Sequence, residues 1–126
     1  MYNLIEQIKG ALSDDLLKPK YRSLAGLNGP TAGHCYHASE ALWHALGGPQ
    51  SPYTPTRGRD ETGITHWWLR HKETGEILDP TADQYLVVGC LPPYSAGKGG
   101  GFLTKKPSRP AQTILNRIGF GIWLGD

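Results

Sequence analysis

The stretch ITHWWLRHKETGEILDPT, residues 64–81, decides the reading of this chain. Ile64 to His71, rich in β-branched and aromatic residues, reads as a strand, Lys72 to Gly75 as a short polar turn, and Glu76 to Leu78 as a second strand. A turn that short joins antiparallel neighbours, so the two runs should pair as a hairpin. Asp79-Pro80-Thr81 ends it, because Pro80 has no N–H to give to a ladder. In such a hairpin His66 and Asp79 fall toward the open ends, away from the turn, where they can be neighbours. A carboxylate beside an imidazole holds the ring in one tautomer and stabilises its charged form.

Upstream lies the residue such a pair would serve. Cys35, Ala38, Ala41, Leu42, Ala45 and Leu46 share one helical face, and Gly47-Gly48 followed by Pro49 is a stop signal. Cys35 falls in the first turn of this helix, read as capped, where backbone N–H groups and the helix dipole favour negative charge. Gly33 would let a substrate approach the backbone closely. A proline-rich segment, Pro49 to Pro55, leads into a further strand over Tyr53 to Arg57.

The flanks complete a mixed pattern. From Tyr2 to Leu17, Leu4, Ile5, Ile8, Leu12 and Leu16 recur at helical spacing, with a weak point at Gly10. Lys18 to Gly33 reads as an irregular connection, Ala82 to Val88 as either a helical turn or a short strand, and Leu91 to Pro107 as a mobile loop. Gly99-Gly100-Gly101 lacks the spacing and the Lys-Ser/Thr ending of a phosphate-binding loop. Pro110 to Ile118 predicts a last amphipathic helix capped by Ser108, with Ile114, Leu115 and Ile118 inward, and Phe120 to Leu124 is expected to be extended. No internal repeat is present.

With 126 residues the expectation is a single domain over 1–126. A hydrophobic share of 38% against 19% charged, with four Trp and six Tyr, is a globular balance rather than a disordered one. Glu6 and Lys9 interrupt the apolar N-terminal stretch, so no secretory signal is read there, and no run approaches membrane-spanning length; a cytoplasmic location is the default expectation. Net charge is +2. Lys98, Lys105, Lys106, Arg109 and Arg117 gather toward the C-terminus, which is too mild for a nucleic-acid signal. That cluster reads first as a solvated basic surface, and second as a means of steering an anionic substrate. Cys35 and Cys90 both read as thiols, Cys90 as a small buried hydrophobe within Val87 to Leu91.

Singly, Cys35, His66 and Asp79 each have a structural explanation: a packing thiol, a strand histidine and a turn former before proline. Their order tips the balance, with cysteine at a helix start, histidine on a strand and aspartate after the next strand. Gly33-His34-Cys35, then Thr65-His66-Trp67, then Leu78-Asp79-Pro80-Thr81 resembles the core of the transglutaminase-like group within the papain-like thiol fold, over residues 33 to 85. Trp67 stands where that group often has a small residue. The resemblance implies an α+β fold, with N-terminal helices including the cysteine helix packed on a small antiparallel sheet and a C-terminal helix. It implies Cys35 as nucleophile, His66 as acid and base, and Asp79 as the residue orienting His66. Small bacteriophage proteins also look similar to this chain.

The chemistry so implied is acyl transfer through a thioester, on a peptide, protein or small amide or ester substrate, with no cofactor. The tetrahedral intermediate needs hydrogen-bond donors. The Cys35 N–H is the first candidate, and Asn28 and the Trp67 indole are candidates for a second. His34, Tyr36 and Trp67 are expected to line the substrate. Of the aromatic group Tyr36, Trp43, Trp67, Trp68 and Tyr85, alternation puts Trp67 and Trp68 on opposite strand faces, one in the core and the other exposed near His66. His34, His37, His66 and His71 raise a metal reading, ranked lower because His34 to His37 crowd one helical turn and no Cys-x-x-Cys is present. A non-catalytic protein-binding module is the other rival, and oligomeric state is not legible.

Overall fold

The hairpin is present and forms one side of the sheet in an α+β structure. The computed structural model describes residues 2–13, 34–60, 65–83, 85, 92–100 and 106–119. Helices α1 (Tyr2–Gly10), α2 (Cys35–Ala45) and α3 (Arg109–Arg117) accompany strands β1 (Tyr53–Arg59), β2 (Thr65–His71), β3 (Ile77–Leu78) and β4 (Lys98–Gly99). The strands form an antiparallel sheet in the order β3-β2-β1-β4. The register pairs Tyr53 with His71 and Arg59 with Thr65, and Leu69 with Leu78 across the hairpin. None of the helices among the described residues is long and apolar enough to cross a membrane.

Strand alternation divides the sheet into two differently covered faces. Tyr53, Leu69 and Leu78 turn to the helices and join Ile8, Ala38, Ala41, Leu42, Ala111, Ile114 and Leu115 in one apolar core. Leu42 is fully buried there, so truncating it to alanine should cost about 2–5 kcal/mol. The opposite face, with Thr56, Gly58, His66 and Trp68, is covered by the segment from Pro92 to Gly97. A Cβ on Gly97 would stand 2.5 Å from Trp68 Cζ2, and one on Gly58 would stand 3.0 Å from the Pro93 carbonyl oxygen. Glycine permits that close approach.

A buried carboxylate ties α2 to α3. Glu40, fully buried, accepts the Ser108 amide at 2.9 Å and the Ser108 hydroxyl at 2.7 Å, while His37 Nδ1 lies 3.4 Å away. Burial alone would push this carboxyl up, but the hydrogen bonds from His37 and Ser108 outweigh it and hold it below its ordinary value. Ser108 Oγ in turn accepts the Ala111 N–H at 3.4 Å, the expected cap of α3.

Several local expectations need correction. α1 stops at Gly10 rather than running on to Leu17: Ala11 and Leu12 donate only to Ile8 and Lys9, three residues back, because glycine is a poor helix former. Residues 14–17 lie outside the described set. α2 begins without a side-chain cap, His34 standing at the cap position with φ −94°. At the other end it stops as expected, with Gly47 at φ +116°. Leu91 to Pro107 is not simply a loop. Tyr94–Ala96 forms a 3-10 turn and Lys98–Gly99 pairs with β1, because the turn packs on Trp68 and delivers the chain to the open sheet edge. Within Ala82 to Val88, Asp83 and Tyr85 are helical and the Tyr85 amide donates to the Ala82 carbonyl at 3.1 Å, while residues 84 and 86–88 lie outside the described residues. The segments Lys18 to Gly33, Val87 to Leu91 with Cys90, and Phe120 to Leu124 lie outside the described residues.

Candidate active site

The start of α2 meets the start of β2. Cys35 is the first helical residue and half-buried, and its Sγ lies 3.8 Å from the Thr65 carbonyl oxygen. The next residue on β2 is His66, fully buried, and the Cys35 side chain is one of the groups that favour its protonated form. Asp79 follows β3 immediately, and its Oδ2 accepts His66 Nε2 at 2.6 Å. The three residues singled out in the sequence therefore gather at one place, Asp79 bonded to His66, and Cys35 against the strand residue that precedes that histidine.

Asp79 is held on both oxygens. Oδ1 accepts the Thr81 amide at 3.1 Å and the Thr81 hydroxyl at 3.4 Å, the short-range geometry an aspartate before a Pro-Thr turn favours. Oδ2 also accepts the Tyr94 hydroxyl at 2.7 Å. A carboxylate surrounded by donors is fixed in place.

His66 sits in an aromatic sleeve. Trp68 lies nearly parallel to it, 5.7 Å between centroids at 27°, and Tyr85 meets it edge-on at 4.9 Å. Burial by itself would push this imidazole down, but hydrogen bonds to Asp79 and Cys35 and their charges outweigh burial and lift it to about 9. A histidine so placed is protonated at neutral pH. Burial and the Asp79 charge push the Tyr94 phenol above its ordinary value, so it donates rather than accepts. Tyr85 is likewise raised, by burial and by its 2.8 Å hydrogen bond to Asp60.

The other residues expected at the site are distributed differently. Asn28 lies outside the described residues. His34 is fully buried, and its carbonyl takes the Ala38 N–H at 2.8 Å, the first bond of α2. The amides of Cys35, Tyr36 and His37 precede that bond and so have no partner within the helix. Tyr36 is half-buried and meets the Trp67 ring edge-on at 5.0 Å. Trp67 is half-buried on the face of β2 away from His66 and the Arg57 guanidinium lies 5.5 Å from its ring centre. The tryptophan that shares the His66 face is Trp68, and it is the buried one. The expectation of an exposed tryptophan beside His66 is therefore corrected, since the turn at Tyr94 covers that face.

The histidines of the metal reading go to separate places. His37 faces Glu40 and Ser108, and His71 Nδ1 accepts the amides of Glu73 and Thr74 in the hairpin turn. Among the described residues no three His, Cys, Asp or Glu side chains gather where they could hold one metal ion.

Sequence reasoning missed Tyr94. It lies in a proline- and glycine-rich segment with no periodicity, and nothing local in the sequence signals that its hydroxyl reaches Asp79. Comparisons with protein-family models, with curated proteins and with solved structures each find no match.

Proposed function

We propose that this chain is a small cysteine-dependent hydrolase or acyltransferase built on a papain-like or transglutaminase-like core, acting on an amide, isopeptide or ester. The observation that carries the reading is the buried His66 imidazole, bonded through Nε2 to Asp79 at 2.6 Å and standing one residue after Thr65, whose carbonyl oxygen lies 3.8 Å from Cys35 Sγ. A histidine fixed by a carboxylate, close to a thiol at a helix N-terminus, is the arrangement that nucleophilic cysteine chemistry needs.

In this mechanism the Cys35 thiolate attacks the carbonyl carbon and forms a C–S bond. The carbonyl oxygen takes the negative charge and is met by the Cys35 N–H at the open start of α2. Protonated His66 gives its proton to the departing amine or alkoxide as the tetrahedral intermediate collapses to a thioester. His66, now neutral, takes a proton from water or an incoming amine, which attacks the thioester. Collapse then breaks the C–S bond, releases the acyl product, and leaves the Cys35 thiolate beside the protonated His66 with which the cycle began. Asp79 holds the ring and stabilises its charge without taking the proton. Tyr94 and Thr81 hold Asp79.

The experiment is acyl trapping. With p-nitrophenyl acetate, mass spectrometry should find acetyl on the Cys35 peptide, discharged by hydroxylamine as a thioester, and none at that peptide in Cys35→Ala. Acetylation no faster than that of free glutathione would count against the proposal.

A further inference from the structure

The part of the sheet that the helices leave open beside Cys35 is basic. Arg57 and Arg59 continue the face that Tyr53 and Pro55 bury, yet both are exposed. Lys98 on β4 is the cross-strand partner of Arg57, so it projects from the same face, and it too is exposed. Trp67 is the partner of Arg57 on β2; the guanidinium lies 5.5 Å from its ring centre and Tyr36 is edge-on to it at 5.0 Å. Arg59 faces Thr65, whose carbonyl oxygen is 3.8 Å from Cys35 Sγ. Among the described residues no carboxylate is paired with Arg57, Arg59 or Lys98. Positive charge spread beside a reactive group raises the local concentration of anions.

We infer that Arg57, Arg59 and Lys98 select an acidic acyl donor, an extended peptide segment carrying carboxylates that lies across Trp67 with its reacting carbonyl at Cys35. This rests on the reading of Cys35 as nucleophile. The spacing favours a peptide over one small anion. Arg57 and Arg59 stand two residues apart on one strand, roughly 7 Å, which is the repeat of alternate side chains along an extended peptide. A lone phosphate would instead be gripped by donors converging on one point. The Arg57 guanidinium already lies over the Trp67 ring, so less side-chain freedom is lost when it binds a carboxylate.

The test compares two alkylating reagents on the full chain, anionic iodoacetate and neutral iodoacetamide, with modification of the Cys35 peptide followed by mass spectrometry. Changing Arg57→Gln and Arg59→Gln together should slow iodoacetate about threefold to tenfold at low salt and leave the iodoacetamide rate unchanged; salt near ~1 M should erase the difference. Hexaglutamate should protect Cys35 of the parent chain from iodoacetamide, and should fail to protect the double variant. Inorganic phosphate should not protect either. Equal effects on both reagents, or none on iodoacetate, would overturn the role of the arginines, and protection by phosphate would overturn the peptide assignment. Failure of the underlying thiol-enzyme reading would show separately, as an iodoacetamide rate that His66→Ala leaves unchanged.

Discussion

Tyr94 and His66 share one oxygen of Asp79: the phenol donates to Oδ2 at 2.7 Å and His66 Nε2 at 2.6 Å. The carboxylate that would orient the imidazole is thus itself oriented, from a segment far along the chain. Tyr94→Phe keeps the ring on Trp68 and deletes only the donor. Its loss should concentrate the carboxylate charge on His66, so the His66 titration followed by NMR moves upward from about 9. Acylation of Cys35 should slow about tenfold, the equivalent of one net hydrogen bond, with a stability loss of about 1 kcal/mol.

Asp79→Asn removes the charge that holds the imidazole up. Burial then acts on His66 without its main opponent, so its titration should fall from about 9 to or below its ordinary 6.5. Acylation of Cys35 at neutral pH should drop by roughly 10²–10⁴, as expected when an imidazole loses its orienting carboxylate. An unshifted His66 resonance in this variant would count against the contact as the cause of the shift.

The same shift sets a direction for stability against pH. The folded state binds the His66 proton more tightly than the unfolded chain, with a midpoint of about 9 against 6.5. The contribution is therefore complete below about 6.5 and is lost as pH rises through about 9. Urea denaturation of the parent chain and of His66→Gln at a series of pH values should show the gap between them closing across that window. A gap that widens instead would reverse the sign.

Gly97→Ala would place a methyl group 2.5 Å from Trp68 Cζ2 and 2.9 Å from Thr56 Cγ2, so the turn that carries Tyr94 must lift. Overpacking of this kind costs about 1–3 kcal/mol. Chemical denaturation should show that loss, and the His66 titration should shift as in Tyr94→Phe.

Glu40→Ala leaves the Ser108 amide and hydroxyl facing a buried void where they had a carboxylate at 2.9 and 2.7 Å. The cap of α3 and its tie to α2 fail together, at about 3–5 kcal/mol, as when one partner of a buried charged network is removed. Because Glu40 is held below its ordinary value, its contribution is present above about 4.5 and is lost as pH falls through the folded value.

What could be read from the sequence was what short-range rules decide. The hairpin of residues 64–81 follows from a period of two, a four-residue polar turn and Pro80, and it places His66 near Asp79 with no knowledge of the rest. The Cys35 helix follows from its apolar face and its glycine stop. The contacts hidden from the sequence are long-range. Tyr94 reaches Asp79 only after a turn that reads as loop has packed on Trp68, and Gly97 matters only because Trp68 is beneath it. Glu40 on a helix reads as a solvated charge until Ser108, 68 residues on, arrives to bury it. Alternation separated Trp67 from Trp68 but did not say which face the helices cover, and the tryptophan beside His66 proved to be the buried one. The basic row of Arg57, Arg59 and Lys98 likewise depends on strand register, which joins β4 to β1 across a long connection.

The central claim is that His66 couples the Asp79 carboxylate to a reacting Cys35. The most direct measurement is the single-turnover rate of Cys35 acylation by p-nitrophenyl acetate at neutral pH, in the parent chain and in His66→Ala. A positioned acid and base contributes about 10²–10⁴, so the variant should be slower by at least about a hundredfold. Equal rates in the two proteins would contradict the account.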